Sequence, residues 1–276
     1  MDQTLSPGLY IVAGPIGNLG DITQRAIATL SAVSAVACED TRITGRLMQH
    51  LGLKKRLIRC DEYAEDAALD GLLALMAAEP VALMSDAGTP LISDPGYRLV
   101  RAARAAGIAV TSLPGPSAAI VAMTLSGLPT DRFLFAGFLP AKDKARADTL
   151  AELGAVRASL LFYETAPRLI DTLAAIAAVL PGREVAVARE LTKLYEECRT
   201  AEPAALIAHY TAHPPKGEIA LVIAPPPAAP AATMADAEAL LRAELAHAKP
   251  SQAAAAVAKA TGLDRKALYT LALGLK

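Results

Sequence analysis

The sequence lacks tryptophan altogether and has little aromatic or cysteine content. Of its 276 residues, 4% are aromatic and three are cysteines. Cys38, Cys60 and Cys198 are odd in number, far apart and outside any Cys-x-x-Cys pattern, so neither a disulfide framework nor a zinc site is indicated. With 53% hydrophobic residues, the chain is too apolar to be largely disordered. The core must therefore be aliphatic, and no metal site is expected.

An excess of charge of either sign is also missing, because 27 Lys and Arg residues face 28 Asp and Glu residues. This balance excludes the general basic field of a non-specific nucleic-acid binder, so an anionic partner must be held by a local patch. The longest stretch without a charge, residues 105–130, would reach across a bilayer, but glycines and prolines interrupt it. The N-terminus has no signal-peptide pattern. We expect a cytoplasmic protein with no membrane partner.

Short apolar runs alternate with helical patterns along most of the chain, which predicts an α/β fold with doubly wound, parallel sheets. The runs of a first block lie at residues 9–13, 35–38, 81–84 and 108–113. Those of a second block lie at residues 133–136, 159–163, 184–188 and 219–224. We therefore predict an N-terminal α/β domain over residues 1–118 and a second α/β domain over residues 119–225.

The end of the chain has a different composition. Residues 225–230 contain four prolines, and we predict an extended linker over residues 226–232. Residues 233–276 are predicted to be an all-helical, helix-turn-helix-like module, with Gly262 in the turn and Arg265 and Lys266 early on the second helix. An alanine-rich helical hairpin that packs on a partner is the other interpretation. Residues 231–276 carry six basic and four acidic side chains, so the tail has a charge of +2.

Ligands of open α/β sheets bind at the carboxyl ends of the strands, so the loops that follow strands are the candidate sites. Pro15, in the loop at residues 14–20, removes a backbone N–H that a phosphate would need. In the loop at residues 85–90, small residues let a ligand approach, and Asp86 can accept from an amino group or ribose hydroxyls. Asp94 with Pro95 predicts a helix N-cap. The small residues after Pro114 either permit close helix packing or leave room for a flat ligand.

Two polar clusters also follow strands. Glu39, Asp40 and Arg42 end the second strand, and residues 189–193 follow a strand of the second block. A carboxylate beside Arg or Lys can orient a substrate or tune a general base, although solvated ion pairs are as frequent an outcome. The motifs of metalloproteases and of α/β-hydrolases are missing from the sequence.

Taken together, the motifs resemble one family. They are Pro15-Ile-Gly-Asn-Leu19, Glu39-Asp-Thr-Arg42, Ser85-Asp-Ala-Gly-Thr-Pro90, Leu113-Pro-Gly-Pro-Ser117, Gly137-Phe-Leu-Pro140, Phe162-Tyr-Glu164 and Arg189-Glu-Leu-Thr-Lys193. In this order they resemble the bacterial 16S ribosomal RNA cytidine 2′-O-methyltransferases, which belong to the tetrapyrrole-methylase-like class of S-adenosylmethionine enzymes. The resemblance runs over residues 8–224, and the tail looks like the C-terminal helical module of many members. Ala13 and Gly14 depart from it, since relatives often have a threonine before the first motif.

The resemblance implies two α/β domains with S-adenosyl-L-methionine in the cleft between them, and a homodimer. The cofactor contacts that it implies are Pro15, Ser85, Asp86, Ala87, Gly88, Ser117, Ala118, Tyr163, Leu191 and Ala220. The implied substrate is 16S rRNA within the small ribosomal subunit. A ribose 2′-oxygen would displace the methyl group, so it must be aligned and its proton accepted. Glu39 or Asp40 is the candidate base, and Arg42 and Lys193 are candidate phosphate contacts.

Two other functions stay open at this point. One is a tetrapyrrole-precursor C-methyltransferase on the same fold, and the other is a non-catalytic RNA-binding assembly protein. A nicotinamide oxidoreductase is disfavoured because the first loop lacks the Gly-x-Gly-x-x-Gly pattern.

Overall fold

A computed structural model describes residues 5–61, 65–227 and 232–275 of the chain. The chain divides into two compact units, with the boundary between Pro226 and Pro227. Most of the predicted linker at residues 226–232 lies outside the described residues. Within the described ranges, every helix is too short or too polar to cross a bilayer.

The first unit begins with a five-stranded sheet in which all pairings are parallel, in the order β3-β2-β4-β1-β5. Its strands are β1 (Gly8–Val12), β2 (Ala35–Cys38), β3 (Arg56–Arg59), β4 (Pro80–Met84) and β5 (Val110–Leu113). The helices of this part are α1 (Gln24–Ala32), α2 (Thr41–His50), α3 (Glu65–Ala78) and α4 (Tyr97–Ala105). Helix α5 (Ala118–Leu125) follows β5 and packs its buried side chains against a second sheet. The predicted parallel, doubly wound sheet is confirmed here.

The alternation of side chains along β4 explains why helices cover both faces of this sheet. Val81 and Leu83 pack into one hydrophobic cluster, whereas Ala82 and Met84 pack into another. Because successive side chains of a strand point to opposite faces, a fully apolar strand needs a cover on each side. The sequence of β4 is therefore a continuous apolar run.

The second sheet has the order β6-β7-β10-β8-β9. Its strands are β6 (Phe133–Phe138), β7 (Ser159–Thr165), β8 (Val185–Arg189), β9 (Glu197–Ala201) and β10 (Glu218–Ile223), and its helices are α6 (Asp143–Gly154), α7 (Leu169–Val179) and α8 (Pro203–Ala212). Two short 3₁₀ helices lie at Leu19–Asp21 and Ala166–Arg168.

The prediction that this second sheet is parallel is wrong. Only β6 and β7 pair in parallel, and the other three pairings are antiparallel. No helix separates β8 from β9, so these two strands can run in opposite directions through a short connection. The charged sequence of β9, Glu-Cys-Arg-Thr-Ala, gives no apolar run from which the strand could be predicted.

The second unit consists of α9 (Met234–Leu245), α10 (Pro250–Thr261) and α11 (Arg265–Gly274) in its described part. They enclose a small core around Leu241, Ala254, Val257 and Leu268. Gly262 ends α10 with a φ of 74°, a left-handed conformation that a glycine adopts without steric cost. The turn therefore lies where the sequence predicts it.

The glycines provide a test of how closely the loops of the first sheet approach each other. A Cβ atom at Gly115 would lie 2.7 Å from the Cβ of Ala13, whereas one at Gly71, in the middle of α3, meets none of the described atoms within 4 Å. We expect Gly115→Ala to lower the free energy of unfolding by about 1 to 3 kcal/mol. Gly71→Ala should raise it by about 0.5 to 1 kcal/mol, because alanine favours helix. Urea denaturation of both variants measures these changes. A rise in the free energy of unfolding for Gly115→Ala, as for Gly71→Ala, would contradict the close approach.

Candidate active site

The loops that follow β1, β4 and β5 lie side by side because β1 sits between the other two strands. The backbone N–H of Gly14 donates to the carbonyl of Gly88 over 2.9 Å. The hydroxyl of Thr89 donates to the carbonyl of Pro116 over 3.0 Å. Gly88 has a φ of 69°, and a Cβ there would lie 3.2 Å from Ile16. The three candidate loops thus form one surface.

A cavity of about 390 Å³ opens between this surface and the ends of the second sheet. It contains seven of the ten predicted cofactor contacts: Ala87, Gly88, Ser117, Ala118, Tyr163, Leu191 and Ala220. The other three, Pro15, Ser85 and Asp86, line a second cavity of about 270 Å³. The structure thus brings the predicted residues to one region but divides them between two spaces.

Tyr163 forms an aromatic wall of the first cavity. Its ring meets the rings of Phe135 and Phe138 edge to face, with centroids 4.9 Å and 5.7 Å apart. Burial raises the pKa of its hydroxyl, which also accepts a hydrogen bond from the backbone N–H of Ala119. The tyrosine is therefore held at both its ring and its hydroxyl.

Asp94 lines the first cavity and is not the helix cap that the sequence predicts. Helix α4 begins later, at Tyr97, and its N-cap is Gly96 with a φ of 116°. Burial raises the pKa of the Asp94 carboxyl, a hydrogen bond with the Ser85 hydroxyl partly offsets this, and the charge of Asp86 adds to it. The Asp-Pro dipeptide is a strong signal for the start of a helix. For this reason the sequence pattern does not indicate that the Asp94 carboxylate lines the cavity.

Glu39 and Asp86 connect the loops that follow β2 and β4. Asp86 Oδ1 accepts from the backbone N–H of Asp40 over 3.0 Å, and the Glu39 carboxylate accepts from the backbone N–H of Asp86. Burial raises the pKa of both carboxyls, and the charge of Asp86 raises that of Glu39 further. Each side chain is thus fixed by the other loop and holds its proton more readily than a solvated carboxyl.

Asp40 has a different environment although it is the next residue. It is the N-cap of α2, where Oδ1 accepts from the backbone N–H of Arg42 over 2.7 Å. Its other oxygen pairs with the Arg42 guanidinium at 2.5 Å. These hydrogen bonds hold the pKa of the Asp40 carboxyl well below its usual range. Asp40 is therefore a weak proton acceptor.

Lys193 is bound between two carboxylates at the other side of the site. Its Nζ lies 3.0 Å from Glu190 Oε1 and 2.7 Å from Glu218 Oε2. Its aliphatic chain lies across Gly17, where any Cβ would overlap Lys193 Cγ. Lys193 thereby ties the loop after β8 to the loop after β1.

Strained backbone is concentrated beside the cavity. Within the described residues, only four residues other than glycine have a positive φ, namely Leu91, Ser93, Glu190 and Thr192. They all lie in the two loops after β4 and β8, which both line the cavity. Such conformations persist where the surroundings determine them, often at functional sites. The described residues contain no group of three or more His, Cys, Asp or Glu side chains that could hold a metal ion.

Comparison with known proteins places this arrangement in a family. Residues 8–207 match the model described as Tetrapyrrole (Corrin/Porphyrin) Methylases. The chain belongs to the tetrapyrrole methylase family. Residues 231–276 of this tetrapyrrole methylase also match the RsmI C-terminal HTH domain. The predicted fold class, an α/β protein of this type with a helical C-terminal module, is confirmed.

Curated relatives extend over nearly the whole chain. Ribosomal RNA small subunit methyltransferase I of Erythrobacter litoralis (strain HTCC2594) is 64% identical over 275 residues, covering 99% of this methylase and 97% of the relative. The protein of the same name from Escherichia coli O157:H7 is 48% identical over 272 residues, covering 96% and 94%.

Solved structures with the same fold are more distant in sequence. Diphthine synthase has a TM-score of 0.63 at 15% identity, covering 78% of this methylase and 89% of that chain. Uroporphyrin-III-C-methyltransferase from Thermus thermophilus has a TM-score of 0.56 at 21% identity, covering 79% and 94%. These likenesses support the fold alone.

The contact between Gly17 and Lys193 can be tested with a double-mutant cycle. Gly17→Ala should lower the free energy of unfolding by about 1 to 3 kcal/mol, because the new Cβ displaces Lys193 from its ion pairs. In a Lys193→Ala background the clash is gone, so the same substitution should cost less. Urea denaturation of the four proteins measures the coupling.

Gly52 provides the control, because like Gly17 it has a positive φ, but no atom of the described residues lies within 4 Å of a Cβ there. The costs of Gly52→Ala and Lys193→Ala should add within about 0.5 kcal/mol. Additive costs for Gly17→Ala and Lys193→Ala would contradict the contact.

Proposed function

We propose that this methylase transfers the methyl group of S-adenosyl-L-methionine to the ribose 2′-oxygen of a cytidine in 16S rRNA of the small ribosomal subunit. The observation that carries the proposal is the 64% identity, over almost full length, with a protein named as a small-subunit rRNA methyltransferase. We propose further that it acts in the cytoplasm as a homodimer, as its resemblance to this family implies.

The residues of the first cavity fit the cofactor. Ile16, Ala118 and Ala220 line the cavity with apolar side chains, and the two alanines leave room for a flat adenine. The carboxylates of Asp94 and Glu218, which line the same space, can accept from an amino group or from ribose hydroxyls. When bound, S-adenosylmethionine supplies an electrophilic methyl carbon.

The task left to the protein is to align a weak nucleophile and to accept its proton. Glu39 is the proposed base, because burial raises its pKa and its carboxylate is held by a backbone N–H. Asp40 is instead a positioning residue, since it caps α2 and orients Arg42.

The two proposed phosphate contacts differ in how accessible they are. Arg42 has 83% of its side chain exposed, so its guanidinium can meet a phosphate while it stays paired with Asp40. Lys193 is 29% exposed and bound to Glu190 and Glu218. These two carboxylates occupy two of the three N–H donors of the Lys193 ammonium and balance its charge, which makes Arg42 the stronger of the two proposed contacts.

The second unit supports a nucleic-acid substrate over a tetrapyrrole. Arg265 and Lys266 lie at the start of α11, and both side chains are exposed. Within the described part of the chain, neither makes an ion pair with a carboxylate. Free basic side chains early on the second helix of a helix-turn-helix are placed to contact a phosphate backbone.

The proposal predicts which acceptor receives the methyl group. Small ribosomal subunits from cells that lack this protein should take up radiolabelled methyl, and uroporphyrinogen should not. Mass spectrometry of the labelled rRNA should locate the methyl on one cytidine ribose. Label on uroporphyrinogen alone would support the C-methyltransferase alternative, and no cofactor binding by calorimetry would support a non-catalytic assembly protein.

The different environments of Glu39 and Asp40 predict different effects of substitution. Glu39→Gln should lower kcat by about 10² to 10⁴, because it removes the proton acceptor. Asp40→Asn keeps a capping side chain and should lower kcat less, and calorimetry should find unchanged cofactor affinity in both variants.

The pH dependence gives a second readout. The base works only when ionised, so kcat should rise with pH through the pKa of Glu39. This rise should extend above the usual range of a glutamate, because burial raises the pKa. An equal loss in both variants, or a rise complete at the usual glutamate pKa, would remove Glu39 from this role.

A further inference from the structure

The second cavity lies directly beside the first and is separated from it by two chain segments. Pro15 and Gly17 line the second cavity, whereas Ile16, between them, lines the first. Asp86 likewise lines the second cavity and the next residue, Ala87, the first. The two spaces therefore share a wall, and a molecule in each could meet at its edge.

Helix α2 closes the other side of the second cavity and gives it a mixed character. Ile43 contributes an apolar side chain that is 40% exposed, and Arg46 and His50 are exposed polar residues on the same helix. Within the described residues, Arg46 makes no ion pair. An apolar space with a few directed polar groups is the usual character of a small-molecule subsite.

Asp86 offers an unused acceptor in this space. Its Oδ1 accepts from the backbone N–H of Asp40, but in the described part of the chain Oδ2 has no hydrogen-bond partner. Thr44 also lines the cavity and is 2% exposed. Apart from an interaction with the Cys38 thiol, its hydroxyl has no hydrogen-bond partner among the described residues. The free Asp86 oxygen is thus a half-buried acceptor in the wall of the cavity, to which a ligand can donate a hydrogen bond.

We infer that the second cavity binds the base of the target nucleotide, an unstacked cytosine whose exocyclic amino group donates to Asp86 Oδ2. The inference rests on the proposed function and assigns Pro15, Ser85 and Asp86 to the RNA rather than to the cofactor. RNA is recognised with specificity mainly where bases are unstacked, and enzymes that act on one nucleotide commonly draw it into a pocket.

The chemistry of the cavity selects cytosine over uracil. A carboxylate accepts from the amino group of cytosine, whereas the carbonyl that uracil presents at the same position would face it without a proton between them. Arg46 supplies donors for the ring nitrogen and carbonyl of cytosine or for a neighbouring phosphate. Glu39 accepts from the backbone N–H of Asp86, so the proposed base is in direct contact with the residue that would hold the cytosine.

Asp86→Asn tests the inference because it changes one hydrogen bond and conserves shape. The asparagine carbonyl can still accept from Asp40, but its amide group replaces the free acceptor by a donor, which suits uracil. After the methylated position is mapped, methyl transfer is measured on small subunits with cytidine or uridine there. The wild-type protein should prefer cytidine by about tenfold or more in kcat/KM. Asp86→Asn should reduce that preference to near one or invert it, with unchanged cofactor affinity by calorimetry.

Two further pairs of variants probe the space itself. Ile43→Trp should obstruct part of the cavity and lower kcat/KM for subunits, whereas Ile43→Ala leaves it open and should have a smaller effect. Arg46→Ala should raise KM, and Arg101→Ala, an exposed arginine on α4 that lines neither cavity, should not. Cofactor affinity should be the same in all four.

The outcomes separate this inference from the proposed function. If the wild-type protein methylates subunits but Asp86→Asn keeps the full preference for cytidine, or Ile43→Trp keeps full activity, the base does not bind in this cavity and the proposed function stands. Loss of cofactor affinity in Asp86→Asn would show that Asp86 contacts the cofactor and not the cytosine, which contradicts the inference. If the wild-type protein methylates neither kind of subunit, the proposed function fails and the inference with it.

Discussion

The position of β1 between β4 and β5 is the constraint on which the site depends. In a parallel sheet the strands end at the same edge, so the loops that follow these three strands are neighbours whatever their sequences. Small residues then allow contacts that larger ones would forbid, such as the backbone hydrogen bond from Gly14 to Gly88. The second sheet closes the cavity from the opposite side with Tyr163 and Leu191.

The electrostatic surroundings of two neighbouring carboxylates shift their pKa values in opposite directions. Glu39 and Asp40 are consecutive, yet their partners differ. Glu39 lies among other acidic side chains, whereas Asp40 accepts hydrogen bonds from the Arg42 guanidinium and from the N-terminus of α2. The first environment favours the protonated form and the second favours the charged form. A single strand end thereby presents one group suited to proton transfer and one suited to holding a cation in place.

Features that depend on local sequence were predictable, and those set by distant partners were not. Apolar runs such as β4, and the glycine turn at Gly262, follow from period and residue type. The orientation of β10 and the formation of β9 depend on antiparallel pairing with β8. The local sequence of each strand does not specify this partner. The local Asp-Pro signal predicts a helix cap at Asp94, whereas the place of this residue in the cavity results from the whole loop. The partner of Lys193, Glu218, is likewise 25 positions away.

The way Lys193 lies over Gly17 has an evolutionary consequence. Two features favour glycine at residue 17, its φ of 149° and the long side chain of residue 193 that lies over it. A lineage that shortened residue 193 would remove the steric reason for glycine but not the conformational one, and a lineage that gained a side chain at residue 17 would first have to lose the lysine. The two positions, far apart along the chain, should therefore vary together among homologous sequences.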